Sequence, residues 1–294
     1  MTGLILLDKP ADMSSFLAAK LVGKAFGEKR SGHTGTLDPM ATGVLPILLG
    51  RSTRLSGMLL EADKRYEAEI LLGTVTDTGD VTGNILSSAA SSFSAQEIEA
   101  VLCKFRGVID QKPPIYSAIK QNGVRLYELA RKGMTADIPS RKVEIKLLDL
   151  LSVEGNKIRI DVICSKGTYI RSLAVDIGEA LGCGATLSSL RRTATGGFDI
   201  GQCATLEEIK ANPEKYIIDA GKCVEHFKAV TVTDNQRSRF LHGGGLFTSR
   251  LKDACELCEG DAVRVYDRGG TLLGIADVKG DSINVRCIIY EGEI

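Results

Sequence analysis

The chain has 294 residues, 44% hydrophobic and 25% charged, and its 37 Lys and Arg balance its 37 Asp and Glu, so the formal net charge is zero. That length and apolar content suffice for a sizeable core and predict one large domain plus a small one, while the charge balance argues against a surface coated in positive potential. Nothing resembles an apolar run of about 18 residues, and the opening "MTGLILLDKP" is too short for a signal peptide, so a soluble, cytosolic protein with no membrane association is expected.

"LILLDKP" (4–10) reads as a strand closed by a proline turn. Ser14 or Ser15 then caps a helix with Leu17, Ala18, Leu21, Val22 and Ala25 on one face, ended by Gly27. A loop follows, "SGHTGTLDPMATG" (31–43), in which Gly32 and Gly35 bracket His33 and Asp38 immediately precedes Pro39. A residue before proline is biased to an extended backbone, which suits an active-site loop, although a turn aspartate bonding its own backbone fits as well. "RYEAEILLG" alternates Tyr66, Ala68, Ile70 and Leu72 on one face of a strand. Phe93, Ser94, Glu97 and Ile98 combine a hydrophobic staple with a capping box, and Ile98, Val101, Leu102 and Phe105 supply the buried stripe of a helix.

"KPPIYSAIKQNGVRLYELARKG" (112–133) starts with two prolines and ends in a short helix with basic residues at its C-terminus. Strands near 142–150 and 157–164 flank "VEGN" as a hairpin, and a helix runs from about Thr168 to a stop at Gly182. Strands and helices come in mixed order without a β-α-β rhythm. The fold class expected is therefore α+β, with a mixed, largely antiparallel sheet and flanking helices. A weakly structured stretch follows. From about 229 the segments "AVTVT", "DAVRVYD", "TLLGIADV" and "INVRCIIY" alternate with Gly and Asp turns, as in a small C-terminal β-barrel. The division expected is residues 1–228 as a catalytic domain and 229–294 as the barrel.

Eight cysteines are scattered singly except for Cys255 and Cys258, and read as reduced thiols. The C-x-x-C spacing is half of a zinc site, but Cys287 is alone and His242 is not at ligand spacing, so an accidental pair and no metal are expected. No nucleotide-binding glycine motif occurs. Basic residues gather as Lys29-Arg30, Arg51 and Arg54, Lys64-Arg65, Arg131-Lys132, Arg141-Lys142 and Arg191-Arg192. Each pair alone reads as solvated surface; only their convergence would make a polyanion groove.

The 31–55 segment "SGHTGTLDPMATGVLPILLGRSTRL" resembles the signature of the tRNA pseudouridine synthase B family. "LLDKP", "KRYEAEILLGTVTDTGDVTG" (64–83), "QKPPIYSAIKQNGVRLYELARKG" (111–133), "CSKGTYIRSLAVDIGEALGCGA" (164–185) and "LRRTATGGF" (190–198) resemble its further segments, in its order. The resemblance is close over 3 to about 200 and looser beyond, where the terminal barrel is similar to the RNA-binding PUA type. "KPADMSS" departs from the family, which more often has Gly at the position of Asp12.

The resemblance implies isomerisation of uridine-55 in the T loop of tRNA to pseudouridine, without cofactor or metal, on a flipped-out base. It implies that Asp38 is the catalytic carboxylate and that Arg171 of "GTYIRS" pairs with it, lowering its pKa. Tyr66 would stack on the uracil, Tyr169 and the backbone of Leu190 would complete the base pocket, and His33 would fill the space left by the base and meet a phosphate. Asp80 of "DTGD" and Arg54 would be supporting charges. From the residues alone, Tyr66 and Leu190 also fit core packing, His33 a turn, Asp80 a surface turn and Arg54 a surface helix. A monomer acting on the T arm is expected, with its C-terminal domain near the acceptor stem. Two other functions share these features, the catalytic subunit of an RNA-guided synthase and a tRNA-folding chaperone; the complete 113–133 segment and the absence of a long basic tail favour the stand-alone enzyme.

Overall fold

The computed structural model describes residues 1–117, 119–121, 123–131, 137–252 and 256–292. It divides into two compact units, one of residues 1–39, 45–60 and 201–294, the other of 40–44 and 61–200.

The second unit is built on a sheet in which strands Gly107–Gln111, Arg141–Glu154, Lys157–Cys164, Lys64–Leu72 and Ala185–Thr195 lie side by side, each antiparallel to the next. A short parallel ladder of Arg191 and Arg192 on Thr42 and Gly43 joins these antiparallel strands, so the sheet is mixed but largely antiparallel, as the sequence predicts. The hairpin forms where "VEGN" places it: Glu154 pairs with Lys157, and Gly155 takes the left-handed backbone (φ 63°) that a tight hairpin asks of its first central residue. In Lys64–Leu72 the alternate residues Lys64, Tyr66, Ala68, Ile70 and Leu72 are buried, which confirms the predicted face and extends it by a lysine. The helix Ala95–Leu102 carries the Ser94/Glu97 capping box and buries Ile98, Val101 and Leu102. Helix Ile170–Ala180 buries Ile170, Leu173, Ala174 and Ile177, and Gly182 beyond it has φ 75°.

In the first unit, Gly3–Lys9 is a strand buried along almost its whole length beside Thr42–Leu49, and Ser31–His33 runs antiparallel to Ile47–Leu49. The helix Ser15–Ala25 is capped by Ser14, whose side chain accepts the Leu17 amide. Its buried face differs from the expectation: Ser15, Ala18, Ala19, Val22 and Gly23 face inward, while Leu17 is 46% exposed. Small residues win that face because the chain packs tightly on it; a Cβ on Gly23 would meet the Glu28 carbonyl oxygen at 2.9 Å. Asp12, where the resemblance leads one to expect Gly, has φ 59°, the left-handed backbone that glycine adopts without cost.

The same unit holds a five-stranded sheet in the order Lys228–Thr231, Ala262–Tyr266, Leu272–Lys279, Ser282–Ile288, Leu246–Phe247, matching the four segments read from sequence. It has a core of its own, in which Val230, Val263, Val265, Leu273 and Ile283 close over Phe240 of helix Asp234–Leu241. Among the described residues no helix is long and apolar enough to cross a membrane.

Candidate active site

Asp38 lies in the loop between Ser31–His33 and Thr42–Leu49, partly exposed. The residue before it is clamped by one buried hydroxyl: Ser15 Oγ donates to the Leu37 carbonyl at 2.9 Å and accepts the Leu37 amide at 2.8 Å. The residue after it is held by Lys9, whose side chain is fully buried and whose Nζ donates to the carbonyls of Pro39 (3.1 Å), Pro10 (2.7 Å) and Met13 (2.7 Å). Burying an ammonium costs several kcal/mol unless its protons are all used, and three carbonyls use all three. Asp38 is thus fixed from both sides through the backbone of its neighbours. His33 is partly exposed and sits in a strand paired to Ile47, not in a turn. Arg54 lies exposed on the 3₁₀ helix Gly50–Leu55 and donates at 2.6 Å to the Ile288 carbonyl of the C-terminal sheet.

The second unit gathers the other predicted residues. Tyr66 is buried in Lys64–Leu72 and is in register with Val162 on one side and Arg192 on the other. Leu190, also buried, pairs with Ala68, two residues along the same face. The loop carrying Asp80 docks on the same strand as Leu190: the Val81 amide donates to the Leu187 carbonyl and the Leu187 amide to the Gly79 carbonyl, both at 3.0 Å. Asp80 is not the surface turn its residues alone allowed, being 5% exposed. Its Oδ1 accepts Thr78 Oγ1 (2.9 Å), the Thr82 amide (3.0 Å) and Thr82 Oγ1 (2.5 Å), which leaves Oδ2 toward Arg171 Nη1 at 3.6 Å.

Arg171, in the first turn of Ile170–Ala180, is also 5% exposed. Besides Asp80, its guanidinium donates to the carbonyls of Thr78 (3.2 Å) and Tyr116 (2.8 Å). Tyr169 is the N-cap residue of that helix, with the Arg141 guanidinium 5.0 Å from its ring centroid.

Two cations that the sequence reading left on the surface are inside. Arg192 is 1% exposed, with Nε donating to the Val44 carbonyl at 2.7 Å, and Lys64 is 8% exposed. Consecutive strand residues face opposite sides, so each basic pair splits: Lys64 and Arg192 turn inward, while Arg65 forms a salt bridge to Asp161 at 2.5 Å. Burial, reinforced by the neighbouring Arg192 charge, pulls the Lys64 ammonium below its ordinary pKa. Gly43 is required here, since a Cβ on it would come within 2.2 Å of the Arg192 carbonyl oxygen. Sequence reasoning missed Lys9, Ser15 and Arg192 as supports; a lysine at the end of an otherwise apolar strand, "LILLDK", was the one available signal.

Cys255 lies outside the described residues, so the C-x-x-C reading is not tested; Cys258 is exposed. Among the described residues no three His, Cys, Asp or Glu converge as metal ligands.

One unit offers a carboxylate on a backbone-clamped loop; the other offers a buried aromatic on a strand and an ion pair at a helix start. Comparison with known proteins agrees. Residues 23–170 match the N-terminal domain of TruB family pseudouridylate synthases, and 171–221 match the tRNA pseudouridylate synthase B C-terminal domain. The chain is 43% identical over 95% of its length, and 91% of the relative's, to tRNA pseudouridine synthase B of Chromobacterium violaceum. It is 42% identical over 98% of its length, and 94% of the relative's, to the protein of that name from Azoarcus sp.. Among solved structures, the fold is similar to that of a chain in a Cbf5-Nop10-Gar1 complex (TM-score 0.76, 28% identity, 98% of this chain and 85% of that one). It is also similar to one in an H/ACA RNP bound to a substrate RNA containing 2'-deoxyuridine (TM-score 0.75, 26% identity, the same coverages). The chain belongs to the TruB family of pseudouridylate synthases.

Proposed function

We propose that the protein converts uridine-55 in the T loop of tRNA to pseudouridine, with Asp38 as the catalytic carboxylate. The observation that carries the reading is the double backbone clamp on Asp38, from Ser15 and Lys9, in a chain 43% identical to a tRNA pseudouridine synthase B. The reaction breaks the N1–C1′ bond of a uridine, turns the base and rejoins it through C5, with no net oxidation, hydrolysis or group transfer. Such chemistry needs one positioned carboxylate, a cation to keep it ionised and a dry pocket for an extruded base. Arg171 is the cation in this reading, itself oriented by Asp80 and two carbonyls. Tyr66 stacks on the base, an interaction worth about 1–3 kcal/mol. Tyr169 and the Leu190 backbone close the pocket, while His33 and Arg54 meet the RNA.

The T arm alone is then sufficient substrate, because a base is extruded most cheaply from a loop. Residues 229–294, as a PUA-like module, add affinity near the acceptor stem. The enzyme acts as a cytoplasmic monomer without guide RNA, since relatives named for tRNA modification match at higher identity than the ribonucleoprotein chains do. The test is incubation of EDTA-treated protein with an unmodified tRNA transcript and mapping of pseudouridine. Modification at position 55 is expected; an unmodified transcript, or one modified only after metal or a guide RNA is added, overturns the reading.

A further inference from the structure

Gln111 ends the strand Gly107–Gln111 and is fully buried. Its side-chain amide faces the main chain of Tyr169 squarely: Oε1 accepts the Tyr169 amide at 2.8 Å, and Nε2 donates to the Tyr169 carbonyl at 3.0 Å. Tyr169 is the N-cap residue of Ile170–Ala180 and has no side-chain cap bond of its own, so Gln111 supplies an acceptor for its amide and adds a second donor to its carbonyl, which also accepts the Leu173 amide at 3.1 Å. A side-chain amide supplies one donor and one acceptor at that spacing whatever the pH. Directly across the ladder from Gln111 stands Arg141, whose guanidinium packs on the Tyr169 ring and donates to the Gly167 carbonyl. The grip continues along the chain: Ser172 Oγ donates to the Lys112 carbonyl at 2.8 Å, and Arg171 Nη2 to the Tyr116 carbonyl at 2.8 Å.

We infer that Gln111 is a positioning residue for catalysis, which acts by locking the Tyr169 peptide and thereby setting where Tyr169 and Arg171 start the helix. Gln111 is buried away from solvent and is assigned no contact with substrate; its influence passes through Tyr169 and Arg171. Loss of the lock lets the first turn of the helix shift, and a displacement near 1 Å of a group that orients reacting atoms costs about a hundredfold in rate. The fold of the sheet and the RNA-facing surface remain, so affinity is spared.

The inference rests on the function proposed above, and the experiment separates the two. Wild type, Gln111→Glu and Gln111→Leu are compared in single-turnover pseudouridine formation on a tRNA transcript, with filter binding and thermal unfolding alongside. Assayed at a pH where its carboxyl is ionised, Gln111→Glu keeps the volume and the acceptor but sets a second oxygen against the Tyr169 carbonyl; Gln111→Leu removes both bonds. A rate loss of about ten- to a hundredfold is expected in each, with tRNA Kd within about twofold of wild type. In an Arg171→Lys background, Gln111→Glu should cost less than about threefold more, because both changes act on one element. Should Gln111→Leu fail to fold, Gln111→Glu decides. A Gln111→Glu rate within about threefold of wild type, a loss confined to Kd, or full additivity with Arg171→Lys overturns the inference. A wild-type protein inactive on tRNA instead overturns the proposed function.

Discussion

The loop around Asp38 and the start of the helix bearing Arg171 are held by opposite means. In the loop, side chains grip the backbone: Ser15 takes both peptide groups of Leu37 and Lys9 takes the Pro39 carbonyl. At the helix, backbone grips a side chain: the Thr78 and Tyr116 carbonyls, with the Asp80 carboxylate, fix the guanidinium of Arg171. The first device fixes where a residue sits and leaves its side-chain chemistry to other groups. The second fixes the orientation of a charge and ties that charge to the residue type. A conservative swap at position 38 should therefore spare structure and abolish chemistry, whereas a swap at 171 should disturb both.

The largest effect tests that division directly. Asp38→Asn is nearly isosteric and leaves the backbone bonds of both clamps in place, so thermal stability and tRNA affinity should stay close to wild type. Single-turnover pseudouridine formation should fall by at least about 10²–10⁴, the range of positioned acid–base groups. Retention of a tenth of the rate would break the comparison at its first term. Arg171→Lys comes next. The charge survives but the planar fork that reaches three oxygens does not, so a loss of about ten- to a hundredfold is expected together with a lower unfolding temperature. If Asp80→Asn reproduces the rate loss of Arg171→Lys without the drop in stability, orientation and packing are separable at this helix after all.

Ser15→Ala probes the other device. Both peptide groups of Leu37 lose their partner in a buried place, which costs about 1–3 kcal/mol in urea unfolding. Activity per folded molecule should fall less than in Asp38→Asn, because Lys9 still holds Pro39. A Ser15→Ala protein with wild-type stability would show that the hydroxyl does not carry the loop.

How far these devices could be read from sequence follows from their periodicity. The face of Lys64–Leu72 was legible because one side is buried and alternation results. The capping box at Ser94 and the turn glycine at 155 were legible because local chemistry specifies them. Two central strands were not. Thr42–Leu49, "TGVLPILL", is buried along almost its whole length and so lacks alternation, and it contains Pro46, a residue that central strands disfavour. Ala185–Thr195 carries register shifts after Leu187 and after Arg192, which break its period. The candidate site divides the same way. Asp38, Tyr66 and Arg171 could be named because they lie in motifs, while Lys9, Ser15 and Gln111 act on peptide groups far along the chain, and a bond to a peptide group leaves no mark in the partner's residue type.

The smallest effect lies on the Arg171 helix itself, one and a half turns on, where a charge has no such grip. Burial, with Glu179 adding a like charge, pushes the Asp176 carboxyl up to about 6 from its ordinary 3.8. A carboxyl that holds its proton more tightly folded than unfolded contributes stability in full below the unfolded value. That contribution is lost as pH rises through about 6, and above it the ionised group is a standing cost. The side chain is only half-buried, so water screens the cost to about 1 kcal/mol or less. Asp176→Asn carries no titrating proton and escapes it. Its unfolding temperature should exceed that of wild type at pH 8 by a few degrees, and the gap should close as pH falls through about 6 toward 4. A gap of equal size at pH 5 and pH 8 would mean that Asp176 does not titrate in this window, and that the helix tolerates an unpaired carboxylate six tenths of the way along as easily as it holds a paired guanidinium at its start.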